Sequence, residues 1–214
     1  GSPISLVNTE QLNKLSLDKY THVIFADGNY EHMDDIMARK LGQFVTEGGT
    51  IIAQKGALKW LEKRNVLNVD ILEDKFYKQL FNTDGYTFKD KEKLKARQSI
   101  GGAIVGLKLD SSHPLSFGLG DAMLPIMKNK VLGLSQPSDP FTVVAHYQDD
   151  PLLSGYLAKE YQRSLANSPA IIVEKRGKGA VVAIADNLLF RNIWLGSEKI
   201  YANALFFLPA GIQD

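Results

Sequence analysis

The chain has 214 residues, 44% of them apolar and 23% charged, close to the average for a folded soluble protein, which excludes disordered, collagen-like and coiled-coil organisations. Lysine and arginine number 25 against 24 aspartates and glutamates, and the resulting net charge of +1 supplies no general electrostatic reason to expect nucleic acid or an anionic membrane as partner. The absence of cysteine removes disulfide scaffolds, thiolate zinc sites, iron–sulfur clusters and cysteine nucleophiles.

In chain order, Pro3–Val7 is a first candidate strand. The β-branched and aromatic run His22–Ala26 is a second, stopped by the turn residues Asp27-Gly28-Asn29. Met33, Ile36, Met37, Leu41 and Phe44 recur at helical spacing behind Asp34 and Asp35, with Gly48-Gly49 closing the segment. Thr50–Ala53 is another buried strand, and Leu58, Trp60 and Leu61 lie on a helix after Gly56. Lys89–Arg97 mixes basic residues with Asp90 and Glu92 and reads as a solvated surface segment, because it holds no aromatic stacking partner and its charge is partly compensated. Ala103–Leu109 and Phe141–His146 are strands; Ala170–Lys175 and Ala180–Ala185, joined by Arg176-Gly177-Lys178-Gly179, form a hairpin. Glu198–Leu208 closes the chain as a helix with Ile200, Ala204, Leu205 and Leu208 on one face. Strand–helix alternation with short loops predicts an α/β fold: a three-layer, mostly parallel sheet with helices on both faces, followed by the hairpin and the last helix.

No run approaches the ~20 apolar residues of a membrane-spanning helix, and the N-terminus lacks the basic start and apolar stretch of a signal peptide. Gly1-Ser2 reads as the scar of a cleaved tag, with 3–214 as one domain cut from a longer parent chain.

Local chemical motifs are weak. Asp110, Ser111, Ser112 and His113 contain the residue types of a hydrolytic triad, but neighbouring side chains on extended backbone point to opposite faces. His32 with Asp35 and His146 with Asp149 lack the rest of a zinc motif, so no metal site is expected in this chain. Gly118-Leu119-Gly120 has Met123 where a dinucleotide fingerprint needs its third glycine. The positional rule for doubly wound sheets is more informative, because ligands there bind outside the carboxyl ends of the strands. It collects Asp27, Asn29, Gln54, Lys55, Asp186, Asn187, Arg191 and Trp194 as candidates for binding a ligand or a neighbouring domain. In an apolar stretch, the Arg191 guanidinium is expected to stack on an aromatic ring or fork onto a carboxylate such as Asp186, Asp27 or one on a partner domain.

Ile104–Gly118, Pro140–Tyr156 and Gly177–Phe207, with Asp186, Asn187, Phe190 and Arg191 the most specific positions, resemble the domain that follows the catalytic domain in a bacterial branch of secreted zinc carboxypeptidases. That domain is similar in fold to class I glutamine amidotransferases, which are flavodoxin-like. The resemblance spans roughly Val23 to the C-terminus. It implies a nucleophile position at the turn after a central strand, where matching strand and glycine places Gln54, an amide that cannot attack a carbonyl. It also implies a histidine after a late strand, where Asp186-Asn187 stands instead. The expectation is a non-catalytic accessory domain with no cofactor of its own. The resemblance implies zinc in the parent's catalytic domain, an N-terminal carboxypeptidase domain as partner, and a secreted or periplasmic location. The alternative is a small-molecule module binding a sugar or an amino acid in the crevice at the strand ends.

Overall fold

A computed structural model describes residues 3–12, 14–120, 123–192 and 194–208. In chain order the described elements are α1 (Thr9–Leu12), β1 (His22–Phe25), α2 (Asp35–Thr46), β2 (Thr50–Gln54), α3 (Gly56–Lys63), β3 (Ile71–Leu72), α4 (Asp74–Lys78) and α5 (Lys91–Gln98). They continue with β4 (Ala103–Leu109), β5 (Leu124–Lys128), β6 (Gly133–Leu134), β7 (Val143–Gly155), α6 (Lys159–Leu165), β8 (Pro169–Arg176), β9 (Gly179–Ile184) and α7 (Leu195–Phe206). Among the described residues the main sheet has seven strands in the order β1-β2-β9-β8-β7-β4-β5, and β3 pairs with β6 separately.

The central strands are buried on both faces, alternate residues entering opposite layers, as in a layered α/β fold of the flavodoxin-like class. Ile51 and Ala53 of β2, with Val181 and Ala183 of β9, pack in one apolar cluster with Met37, Leu41 and Val45 of α2 and Leu58 and Leu61 of α3. Ile52, Val182 and Ile184 belong to a second cluster with Tyr161 and Leu165 of α6 and Ile200 and Ala204 of α7. Helices therefore cover both faces. The start of α2 follows from its acidic lead-in: Asp34 has extended backbone and its carboxylate accepts the Met37 N–H at 2.9 Å, capping the first turn.

Strand direction departs from the sequence expectation in one respect. Only β1–β2 and β2–β9 pair in parallel; β9–β8, β8–β7, β7–β4 and β4–β5 are antiparallel. The tight turn at Gly177 (φ 62°) reverses the chain between β8 and β9 and makes that pair antiparallel. The antiparallel half is irregular, with register shifts along β7 against both neighbours. It also curls back, since Asn187, just past β9, bridges to Met127 of β5. Bulges of this kind raise local twist and bend a sheet.

Other expectations differ in detail. Pro3–Val7 is not a strand: Ile4 and Leu6 are exposed, and no ladder partner fixes the segment on β1. The expected Phe141–His146 strand starts at Val143, because Asp139 and Pro140 open a single 3₁₀ turn over Pro140–Thr142. Strand β5 was not anticipated, as its Pro125 argues against a strand; it sits at the sheet edge, where proline is tolerated. No helix among the described residues is long and apolar enough to cross a membrane.

Candidate functional site at the strand ends

The parallel trio β1, β2 and β9 directs three turns to one edge of the sheet. At the middle one, Lys55 joins β2 directly to α3 with φ 52° and ψ −116°, a conformation that side-chain-bearing residues rarely adopt and that costs on the order of 1–3 kcal/mol. A residue held this way between a strand and a helix is the geometry of a nucleophile elbow. The strained position is thus Lys55, one residue beyond Gln54, which is still the last residue of β2 and pairs with Ile184. The structure corrects the alignment that had put Gln54 there: backbone conformation marks the elbow, and a glycine count along the sequence misses it by one.

The Lys55 side chain is buried, and its ammonium sits 2.7 Å from Asp27 Oδ2. The other carboxylate oxygen of Asp27 accepts the Gly56 N–H at 2.9 Å and the Lys130 ammonium at 3.2 Å. Three donors therefore converge on one carboxylate. Partial burial pushes the Asp27 pKa up, but the hydrogen bonds from Lys55, Gly56 and Lys130 outweigh it and bring the value down to about 2. Gly56 is required for this approach, since a Cβ there would fall 2.6 Å from Gly28 O and 2.9 Å from Asp27 Oδ1. Beside the cluster lies a groove of about 700 Å³ bordered by Asn29, Tyr30, Lys59 and Glu73.

Asp186, two residues past β9, turns into the opposite cluster. It is 1% exposed, as is Lys128, whose ammonium is 3.0 Å from Asp186 Oδ1, 3.1 Å from Tyr147 Oη and 2.8 Å from Leu132 O. The Tyr147 hydroxyl donates to Asp186 Oδ2. Burial, then the charge and hydrogen bond of Asp186, raises the Tyr147 pKa far above its usual value. This is an internal brace between β5, β7 and the end of β9. Sequence reasoning missed Lys128 and Tyr147. One signal was available: in β5 the inward positions Leu124 and Ile126 put Lys128 on the same face by simple alternation.

The other candidates do not join either cluster. Asn29 Oδ1 accepts the Glu31 N–H and Asn187 Oδ1 the Leu189 N–H, both local turn bonds. Trp194 is half-buried and its carbonyl accepts the N–H groups of Ser197 and Glu198 in α7. Arg191 is exposed, with φ 52°, and its guanidinium lies over the Phe190 ring at 5.2 Å. Of the expected partners the aromatic ring is present, while Asp27 and Asp186 are already paired with lysines. The Asp110–His113 run is turn chemistry, Asp110 accepting from Ser112 and His113 Nδ1 from the Leu115 N–H. Among the described residues no three of His, Asp or Glu are grouped to hold a metal ion.

No family model and no curated protein sequence matches the chain. Among solved structures it is similar to a GMP synthase subunit from Thermoplasma acidophilum, with a TM-score of 0.55 and 11% identity over 97% of this chain and 81% of that one. PurLQS of Thermotoga maritima aligns with a TM-score of 0.52 and 14% identity over 90% of this chain and 82% of that one. Against a β-galactosidase of Bacillus circulans sp. alkalophilus the TM-score is 0.46 at 14% identity, over 94% of this chain but only 24% of that one. At 11% and 14% identity these likenesses are likenesses of fold.

Proposed function

We propose that this chain is a non-catalytic amidotransferase-like domain of a longer protein, an accessory to a zinc carboxypeptidase that packs on the catalytic domain or presents substrate to it. One observation carries the non-catalytic reading. The elbow holds a lysine whose ammonium is locked on Asp27, and the same carboxylate accepts the Gly56 N–H at the start of α3. An ammonium in an ion pair has no lone pair with which to attack a carbonyl. The backbone donor best placed to stabilise a developing oxyanion at the elbow is also already occupied. Asp186 supplies no substitute, being sealed inside the protein with Lys128 and Tyr147.

The carboxypeptidase setting rests on the sequence resemblance at Asp186, Asn187, Phe190 and Arg191, and with it go the N-terminal catalytic partner, that partner's zinc and a secreted or periplasmic location. In this reading the chain needs no cofactor. Incubation of the purified chain with glutamine should release ammonia no faster than buffer. Turnover well above background that survives a chelator would overturn the non-catalytic reading. The parent reading frame decides the setting: a metallopeptidase zinc signature upstream supports it, and a frame beginning near Pro3 rejects it.

A second reading, a small-molecule binder, is favoured by the groove of about 700 Å³ beside Asp27, a volume ordinary for small-ligand sites. Saturable binding of a sugar or free amino acid that Asp27→Ala abolishes would support it.

A further inference from the structure

A different groove, of about 520 Å³, runs between α2 and the end of α3, away from the strand-end cluster. Its lining concentrates charge of one sign: Arg39, Arg64 and Arg176, with Lys63 paired to Glu31 at 2.8 Å, against the carboxylate of Asp35, in a chain whose net charge is only +1. We propose that this groove binds a small phosphorylated molecule through its three guanidinium groups. The inference is independent of the reading of the strand-end site.

Local structure brings the arginines together. Asp35, Arg39 and Gly42 follow one another at four- and three-residue steps along α2 and so share a face. Gly42 has no side chain to cover that face, and Arg176 Nη2 lies 3.8 Å from where its Cβ would be, which sets the Arg176 head one helical turn from Arg39. Arg176 is held there because its Nη1 donates to the carbonyls of Asn65 and Val66 at 2.6 and 3.3 Å, where the chain leaves α3. Arg64 is oriented by its ion pair with Asp35.

These contacts leave donors unused. The Arg64 Nε–H is buried with no acceptor, a costly state for a guanidinium donor. Arg39 has no acceptor among the described residues. Guanidinium forks match the tetrahedral oxygens of a phosphate in pairs. The volume suits a small ligand.

The test is a titration of the intact chain with sodium pyrophosphate at low ionic strength, followed by backbone amide NMR. Saturable shifts are expected on the Arg39–Thr46 stretch of α2 and on residues 63–66, and Arg39→Glu should weaken binding at least tenfold. Since Arg39 is exposed and holds no partner, that variant should melt with the wild type. Shifts that sodium chloride of equal ionic strength reproduces would overturn the proposal, as would equal binding by Arg39→Glu. Equally tight binding of succinate would overturn the phosphate assignment.

Discussion

Asp27 and Asp186 each stand two residues beyond a strand of the same parallel trio, and each pairs with a lysine, yet they behave as opposite kinds of group. Asp27 follows the edge strand β1, keeps 35% of its side chain exposed and borders an open groove. Asp186 follows the inner strand β9, over which the antiparallel half of the sheet curls, and is sealed with Lys128 and Tyr147. Two equivalent positions in the strand plan therefore become a rim cluster and an internal brace. What separates them is which strand the curl covers. Removing charges from water is expensive, so the buried pair persists only with its hydrogen bonds complete, whereas the rim pair is partly solvated.

The comparison breaks most sharply at the brace. Lys128→Ala leaves Asp186 buried without its cation and should lower stability by about 3–5 kcal/mol, measured by urea unfolding. The double replacement Lys128→Met with Asp186→Leu should recover most of that loss, because a packed apolar pair removes the uncompensated charge. If the double variant is as unstable as the single one, the cluster is not an isolated ionic brace.

At the rim the effect should be smaller and visible in pH. The Asp27 pKa is depressed, to about 2, so its contribution is fully present above the ordinary carboxylate value near 4 and is lost as pH falls from about 4 to about 2. Asp27→Asn should therefore cost about 1–2 kcal/mol at pH 7, after allowance for solvent screening, and less at pH 2. Unfolding free energies of the two proteins should converge over that window; a constant gap would show that the ion pairs are not the source.

Strain at the elbow is the next effect in size. In an Asp27→Ala background, where the ion pair is gone, Lys55→Gly should be about 1 kcal/mol more stable than Lys55→Ala, since glycine tolerates φ 52° and alanine does not. Equal melting temperatures would mean that the turn relaxes once Asp27 is removed.

The smallest effect is expected at Arg191. The sequence leaves two places open to Arg191: an internal brace, for which Arg191→Lys would cost about 1–3 kcal/mol, or a face toward a ligand or neighbouring domain, for which this domain would melt unchanged. Exposed and, among the described residues, resting on Phe190, Arg191 should tolerate lysine with a loss under about 0.5 kcal/mol by thermal melting.

The elements that local pattern alone could specify were legible: β2, α2 and the β8–β9 hairpin are each written in a contiguous run of apolar spacing, caps and glycine turns. The pairing of Asp27 with Lys55 was half legible, since both follow strands that the alternation marks. The elbow residue was misplaced by one, because φ and ψ at Lys55 depend on Asp27 and Gly28 pressing against Gly56 from another strand.

The meeting of the brace residues was beyond any local reading. Lys128, Tyr147 and Asp186 come from β5, β7 and the end of β9, with 39 and 58 positions separating Asp186 from its two partners. Each looks like an ordinary strand or strand-end residue alone. Sequence by itself determined the local elements β2, α2 and the β8–β9 hairpin, since propensity, capping and periodicity act within a few residues. Tertiary structure decided the curl of the sheet and, through it, which aspartate meets water, because burial is a property of neighbours that the chain brings together only when folded.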